Sequence, residues 1–264
     1  MRLVTFNILN GRHPADDHVD PALLDRAVRD LAPDVLALQE VDRNQPRSAQ
    51  ADLTAVAGEA MGAVAQRFVA ALHGVPGSAW VAATGEAQPD TAEYGVALLS
   101  RWPVTHWQVV RLPALRRAAP MWFRRDRRPT LVRDEPRVAV AATVATPDGP
   151  LTVATTHLTF VPWWNGVQLT HLVGALDADR DQGVARGRDA TPLVLTGDLN
   201  MGPPRAQGLT GMRSLAAHPT FPAHAPRAQL DHVLGRGAVR AVGSEAPAAP
   251  LSDHRPLVVE LALG

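Results

Sequence analysis

Eight side chains carry the chemistry that this sequence offers. Asn7, Glu40, His157, Asp198, Asn200, Asp231, Asp253 and His254 each stand at or just beyond an end of a short apolar run. Solvated strand ends draw on turn residues of mixed type. These positions supply only carboxylates, amides and imidazoles, the groups that hold a hard cation and a phosphate. Each has an ordinary explanation when taken alone: Asn7 caps a turn, Glu40 and Asp231 are surface carboxylates, and His157 and His254 are hydrogen-bonded structural histidines. Asp198 and Asn200 can form a turn in Gly197-Asp198-Leu199-Asn200, and Ser252-Asp253-His254 can cap the last strand. Their joint occurrence is what points to a single site.

The segments that must position them read as strands and helices in mixed order. Residues 3–6 and 34–38 are apolar runs ending at Asn7 and at Gln39-Glu40. Between them Leu23, Leu24, Ala27, Val28 and Leu31 fall at helical spacing, which predicts a helix over 21–31. Further helices are expected at 51–61 and 167–176, and further strands at 68–72, 94–99, 192–195, 230–234 and 256–261. Residues 138–144 and 151–155 flank Pro147-Asp148-Gly149, a turn signal, and so read as a hairpin. Many strands, few helices and a hairpin exclude the strict alternation of a doubly wound parallel sheet. A mixed sandwich with outer helices is expected.

Composition bounds the reading. The 264 residues, with no repeat or linker, fit one large domain, and 46% hydrophobic content supplies a core that a disordered chain lacks. Twenty-six basic residues, all Arg, balance 26 acidic ones, so the surface as a whole is not built to bind polyanions. The absence of Cys excludes disulfides, thiolate-bound zinc and thiol catalysis. The opening MRLVTFNILN has no apolar core behind a basic start, and no run approaches the ~20 residues of a membrane span. A soluble, cytoplasmic monomer with no obligate protein partner is expected. The local exception is 111–137, where nine Arg stand against Asp126, Asp134 and Glu135, a basic insertion.

The contexts of these residues, in their order, resemble the endonuclease/exonuclease/phosphatase superfamily. The resemblance lies in Thr5-Phe6-Asn7, Leu38-Gln39-Glu40-Val41-Asp42, the segment from Tyr94-Gly95-Val96 to Ser100-Arg101, Thr156-His157-Leu158, Gly197-Asp198-Leu199-Asn200, Gln229-Leu230-Asp231-His232-Val233 and Ser252-Asp253-His254-Arg255-Pro256. It implies a deoxyribonuclease I-like fold, a four-layer α/β/β/α sandwich of two packed mixed sheets. It also implies phosphoester hydrolysis dependent on Mg2+, for which Mn2+ can substitute. By the same resemblance Glu40 is the principal metal ligand, with Asn7 and Asp253 beside the metal. Asp198 orients or deprotonates the attacking water, and Asn200 holds a phosphate oxygen. His254 contacts the scissile phosphate, Asp231 pairs with it, and His157 stabilises the transition state or assists the leaving group. Water attacks directly, so no Ser or Cys nucleophile is needed.

Two positions depart from the family pattern. Leu9 stands where some nucleases carry an acid, which leaves the metal more dependent on Glu40 and Asp253, and Val96 replaces an Asn. Tyr94, the chain's one tyrosine, is read as a core strand residue. The catalytic set does not name the substrate, which can be a nucleic acid, a phospholipid head group at a membrane surface or a small phosphodiester. Candidate substrate contacts are Arg124, Arg125, Arg127, Arg128 and Arg137, since Arg binds phosphate bidentately, with Trp163 and Trp164 as a wall or as packing. The competing reading is a non-enzymatic phosphoinositide or nucleic-acid binding module that keeps the fold, against which stands the presence of Glu40, Asp198 and His254 together.

Overall fold

The structure is a computed structural model that describes the chain apart from residues 14–18, 77, 87, 89, 116, 122–127 and 186–190. The chain first lays down β1 (Arg2–Asn7), α1 (Pro21–Leu31), β2 (Val35–Arg43), α2 (Leu53–Met61), β3 (Ala65–Gly74), β4 (Trp80–Ala82) and β5 (Glu93–Ser100). It continues through β6 (Val104–Arg111), β7 (Ala119–Met121), β8 (Thr130–Val132), β9 (Val138–Thr146), β10 (Gly149–His157) and α3 (Trp164–Ala185). The last third holds β11 (Leu193–Asp198), α4 (Pro203–Thr210), β12 (Arg213–Ser214), β13 (Asp231–Arg236), β14 (Val239–Glu245) and β15 (Leu257–Leu263).

Local signals explain the first helices. The Asp20 carboxylate accepts from the Ala22 N–H at 2.9 Å and Pro21 opens α1, so an orphan donor is satisfied where proline costs nothing. Asp52 caps α2 in the same way, and Gly62 ends it at φ +67°. The apolar face of α1, Leu24, Ala27, Val28 and Leu31, packs with α2 on Leu36 and Leu38 of β2.

Two mixed sheets result, ordered β14-β15-β1-β2-β5-β3-β4 and β12-β13-β11-β10-β9-β6. β1 runs parallel to β2 across α1, and β10 parallel to β11 across α3, while the remaining pairings in both sheets are antiparallel. Val35, Ala37, Val140, Val153 and Val194 meet between the sheets. Leu169, Leu172 and Leu176 of α3, with Ala206 of α4, cover the outer face of the second sheet. The four-layer α/β/β/α sandwich expected from the sequence is therefore the observed fold. Both parallel pairs, β1 with β2 and β10 with β11, lead to the same edge of the sandwich: Asn7, His157 and Asp198 end β1, β10 and β11, and Gln39-Glu40 lies beside Asn7 within β2, which runs on to Arg43.

The basic segment begins at the end of β6 and contains the small β7–β8 hairpin, a separate two-stranded sheet. Arg133, just past that hairpin, lies over the Trp80 ring at 5.2 Å and ties it to β4. Among the described residues, no helix is long and apolar enough to cross a membrane.

Candidate active site

Three neighbouring strands place one half of the site. In the registers of β10, β11 and β13, His157 stands beside Asp198 and Asp198 beside Asp231. The strands come this close because residue 197 is glycine. A Cβ there would lie 2.0 Å from the Thr156 carbonyl oxygen, and the backbone sits at φ +128°. Gly197→Ala is therefore expected to cost at least about 1–3 kcal/mol, read from urea unfolding, and to separate His157 from Asp198.

The first sheet supplies the other half. Along β2, Val35 and Ala37 face the second sheet and Leu36 and Leu38 face the helices, so strict alternation would turn Glu40 away. A bulge between Gln39 and Val41, with Glu40 at φ +57°, re-aims its carboxylate into the cleft. Asn7 spans the gap between the sheets. Its Nδ2 donates to Glu40 Oε1 at 3.0 Å and to Asp198 Oδ2 at 3.1 Å, while its Oδ1 accepts the Leu9 N–H. The turn before β15 brings in His254, and Ser252 pins that turn by donating to the Asn7 carbonyl at 2.6 Å and accepting the His254 N–H.

The hydrogen bonds assign states to the two imidazoles. His254 Nδ1 donates to Asp231 Oδ2 at 2.8 Å and its Nε2 lies 3.7 Å from Asp198 Oδ2. Burial works against its charge, but Asp231, then Asp198 and Asp253, outweigh it and push the imidazole up to about 10. His254 is thus an imidazolium at neutral pH. His157 is its opposite: burial, Arg137 and His254 hold it well below its ordinary value, so it is neutral. Asn200 gives its amide hydrogens to the Leu158 carbonyl and to His157 Nε2, at 2.9 and 3.2 Å. The His157 proton is then on Nδ1, a donor 3.9 Å from Glu40 Oε1 with no hydrogen-bond partner among the described residues. In this arrangement Asn200 fixes the His157 tautomer, and a phosphate oxygen would compete with the imidazole for its amide.

The carboxylates are held against their preference. Burial and the neighbouring Asp231 raise Asp198 to about 7, despite His254, the Asn200 N–H and Asn7. Glu40 is raised chiefly by burial and by Asp253, in spite of Asn7 and Arg137. Glu40, Asp198, Asp231 and Asp253 gather around His254 and Arg137, with Arg47 also near enough to feel Glu40, and buried Asp231 Oδ1 has no partner among the described residues. Carboxylate and amide oxygens gathered at one cleft are the donors a hard divalent cation takes. Ligand atoms of Asp198, Asp231 and His254 lie within 4.8 Å of one another, but the His254 imidazolium already fills that group with positive charge. Glu40 lines the open cleft, as Asp198 and Glu135 do, and has Asn7 at hydrogen-bond distance and half-buried Asp253 near enough for its charge to be felt.

The cleft is also lined by Asn10, Arg12, Arg47, Tyr94, Glu135, Arg137 and Phe160. Arg137 is nine-tenths buried, its Nε has no partner among the described residues, and its nearest acid is Asp134 at 3.5 Å. Burial opposes its charge, yet Tyr94, Asp134, Glu135 and Glu40 keep the guanidinium above its ordinary value. Tyr94 is a core strand residue, as expected, and also faces the cleft. The roles of Arg47 and Asn10 were not readable from sequence. Arg47 grips Asp42 through Nε and Nη2 at 2.8 and 2.7 Å and also donates to Asn10 Oδ1.

The remaining sequence candidates lie elsewhere. Trp164 packs, donating from Nε1 to the Pro113 carbonyl, while Trp163 is 57% exposed and meets it edge-on. Neither lines the cleft, where Phe160 is the nearest aromatic in sequence. Arg128 is exposed, and Arg124, Arg125 and Arg127 lie outside the described residues.

Fold and site together define a deoxyribonuclease I-like sandwich with a carboxylate, amide and imidazole cluster between its two sheets. The model of the Endonuclease/Exonuclease/phosphatase family matches residues 4–254, and the chain belongs to that family. An endonuclease/exonuclease/phosphatase from Beutenbergia cavernae DSM 12333 has a TM-score of 0.70 at 23% identity, covering 100% of this chain and 72% of that one. The human Nocturnin catalytic domain, solved with a bound sulfate anion, gives 0.62 at 20% identity, over 100% and 94% of the two chains. Sphingomyelinase C from Streptomyces griseocarneus gives 0.60 at 18%, over 98% of each. At such identities the likeness is one of fold. No curated protein matches the sequence.

Proposed function

We propose that this protein is a phosphodiesterase that uses Mg2+, or Mn2+ in its place, and hydrolyses its substrate by direct attack of water. The observation that carries the reading is the pairing of two opposite imidazoles across one carboxylate: Asp198 Oδ2 lies 3.5 Å from His157 Nε2 and 3.7 Å from His254 Nε2. Asp198, poised near neutrality, takes the proton of the attacking water. His254, held charged by Asp231, donates to the phosphoryl oxygen on which negative charge builds. His157 offers a neutral Nδ1–H on the side of Glu40, and Arg137 attracts the phosphate. Glu40, with Asn7 and Asp253 beside it, would hold the cation. When bound, a divalent cation offsets charge on the phosphoryl and leaving oxygens.

Substrates are drawn from nucleic acids, phospholipid head groups and small phosphodiesters. The resemblance to Nocturnin and to a sphingomyelinase supports this breadth without choosing within it. The test begins with bis-p-nitrophenyl phosphate and proceeds to a panel of DNA, RNA, phospholipid and inositol phosphate substrates. Turnover should vanish in chelator and return with Mg2+ or Mn2+. Glu40→Gln keeps the size of the side chain and removes its charge, so its activity should fall at low metal and recover in part at high metal. Full activity in chelator would sink the metal assignment.

A further inference from the structure

Beneath the site lies a buried polar layer that the chemistry above does not use. Gln39 precedes the metal-side Glu40 and is fully buried between the sheets, as are Thr5, Thr155 and Thr196. Its Nε2 donates across the interface to Thr155 Oγ1 of β10 at 2.9 Å and within its own sheet to Thr5 Oγ1 at 3.1 Å. A further, longer approach of 3.3 Å reaches the Ala37 carbonyl. Around this layer the interior is aliphatic, with Ala37, Val96, Val140 and Val153. Apolar side chains at these positions would bury no polar group and need no partners, so hydrophobic packing alone gives no reason for an amide here.

The position of the layer is informative. Thr5, Thr155 and Thr196 each stand two residues before Asn7, His157 and Asp198, so each lies directly below a site residue on the same face of its strand. The site is divided, with Glu40 and Asn7 on the first sheet and His157 and Asp198 on the second. At the level of the site, the Asn7 amide is what bridges to Asp198. Packing of short aliphatic side chains is non-directional, whereas a hydrogen bond has a preferred distance and angle and so adds to the definition of register.

We propose that Gln39 is a positioning residue, clamping the two sheets through Thr155 one layer below the site, so that Glu40 is held at working distance from His157 and Asp198. The proposal rests on the phosphodiesterase reading for its kinetic consequences but not for its geometry. Losing the clamp lets the halves shift, and misplacement on the scale of 1 Å costs up to ~10²-fold in rate. Substrate affinity should change much less than turnover.

Thr155→Val keeps shape and removes the acceptor, while Thr155→Ser keeps the hydroxyl. Thr155→Val should lower kcat on bis-p-nitrophenyl phosphate by ~10-fold or more with KM little altered, and Thr155→Ser should retain most activity. Gln39→Met combined with Thr155→Val should cost about as much as Gln39→Met alone, because both remove the same bond. The Asn7 side-chain amide provides a reading free of turnover: its NMR resonances should shift or broaden in Thr155→Val and stay in place in Thr155→Ser. Unchanged kcat and unchanged Asn7 resonances in Thr155→Val overturn the proposal. So do equal losses in the Val and Ser variants that merely follow melting temperature. If the unaltered protein hydrolyses no phosphoester, the functional reading fails while the Asn7 resonances still decide the clamp.

Discussion

Removing the His254 imidazole by His254→Ala should lower phosphodiester turnover by ~10² to 10⁴, and adding Asp231→Ala should take away little more. Burial alone would drive His254 neutral, and Asp231 is the largest influence opposing it, at a 2.8 Å hydrogen bond. Without Asp231 the desolvation remains and the largest support of the charge is gone, so His254 holds its proton less well, and the ring is also free to rotate or change tautomer. Asp231→Ala should therefore resemble His254→Ala rather than a mild variant, and groups that act as one unit lose activity non-additively. Two measurements check this. Kinetic analysis of both single variants and the double variant gives the coupling, and NMR titration of His254 should move from about 10 in the unaltered protein to a much lower value in Asp231→Ala. Losses that multiply in full would show that the two residues act independently.

Much of this cluster was readable because its side chains stand at or next to an end of an apolar run. Strand ends are set by the run, so Asn7, His157, Asp198 and Asp231 could be placed from patterning alone, while the pairings that bring them to one edge are seen only in the structure. Helix α1 was equally legible, since Asp20, Pro21 and the apolar spacing agree. The rest escaped for physical reasons. Glu40 was placed at the end of its run, but the aim of its side chain depends on a bulge at positive φ, and an alternating pattern carries no mark of an inserted residue. β14 is an edge strand whose last six residues are exposed or half-buried, and α4 is a short turn-rich helix, so neither shows amphipathic periodicity. Arg47 and Asn10 reach the cleft through a three-residue link with Asp42, a tertiary arrangement that no local pattern encodes. The helix predicted at 167–176 runs instead from Trp164 to Ala185, because its polar later turns lack the apolar face that patterning seeks.

Asp198→Asn should remove the base, lowering turnover by ~10² to 10⁴, and should also erase one limb of the pH profile. Asp198 is useful as a carboxylate, and burial with Asp231 raises it to about 7, so the rate should fall as pH drops through that value and the base gains a proton. His254 is useful as an imidazolium and keeps its proton up to about 10, so a second fall belongs at the alkaline end. The unaltered protein should thus show a plateau between these limits. A cation seated at Glu40 favours ionised Asp198 and disfavours the neighbouring imidazolium, so raising the concentration of Mg2+ should carry both limbs to lower pH. In Asp198→Asn the residual rate should be flat through the acidic range. An acidic limb that survives unchanged in Asp198→Asn would assign it to another group, with Glu40, raised by burial and by Asp253, the first to examine.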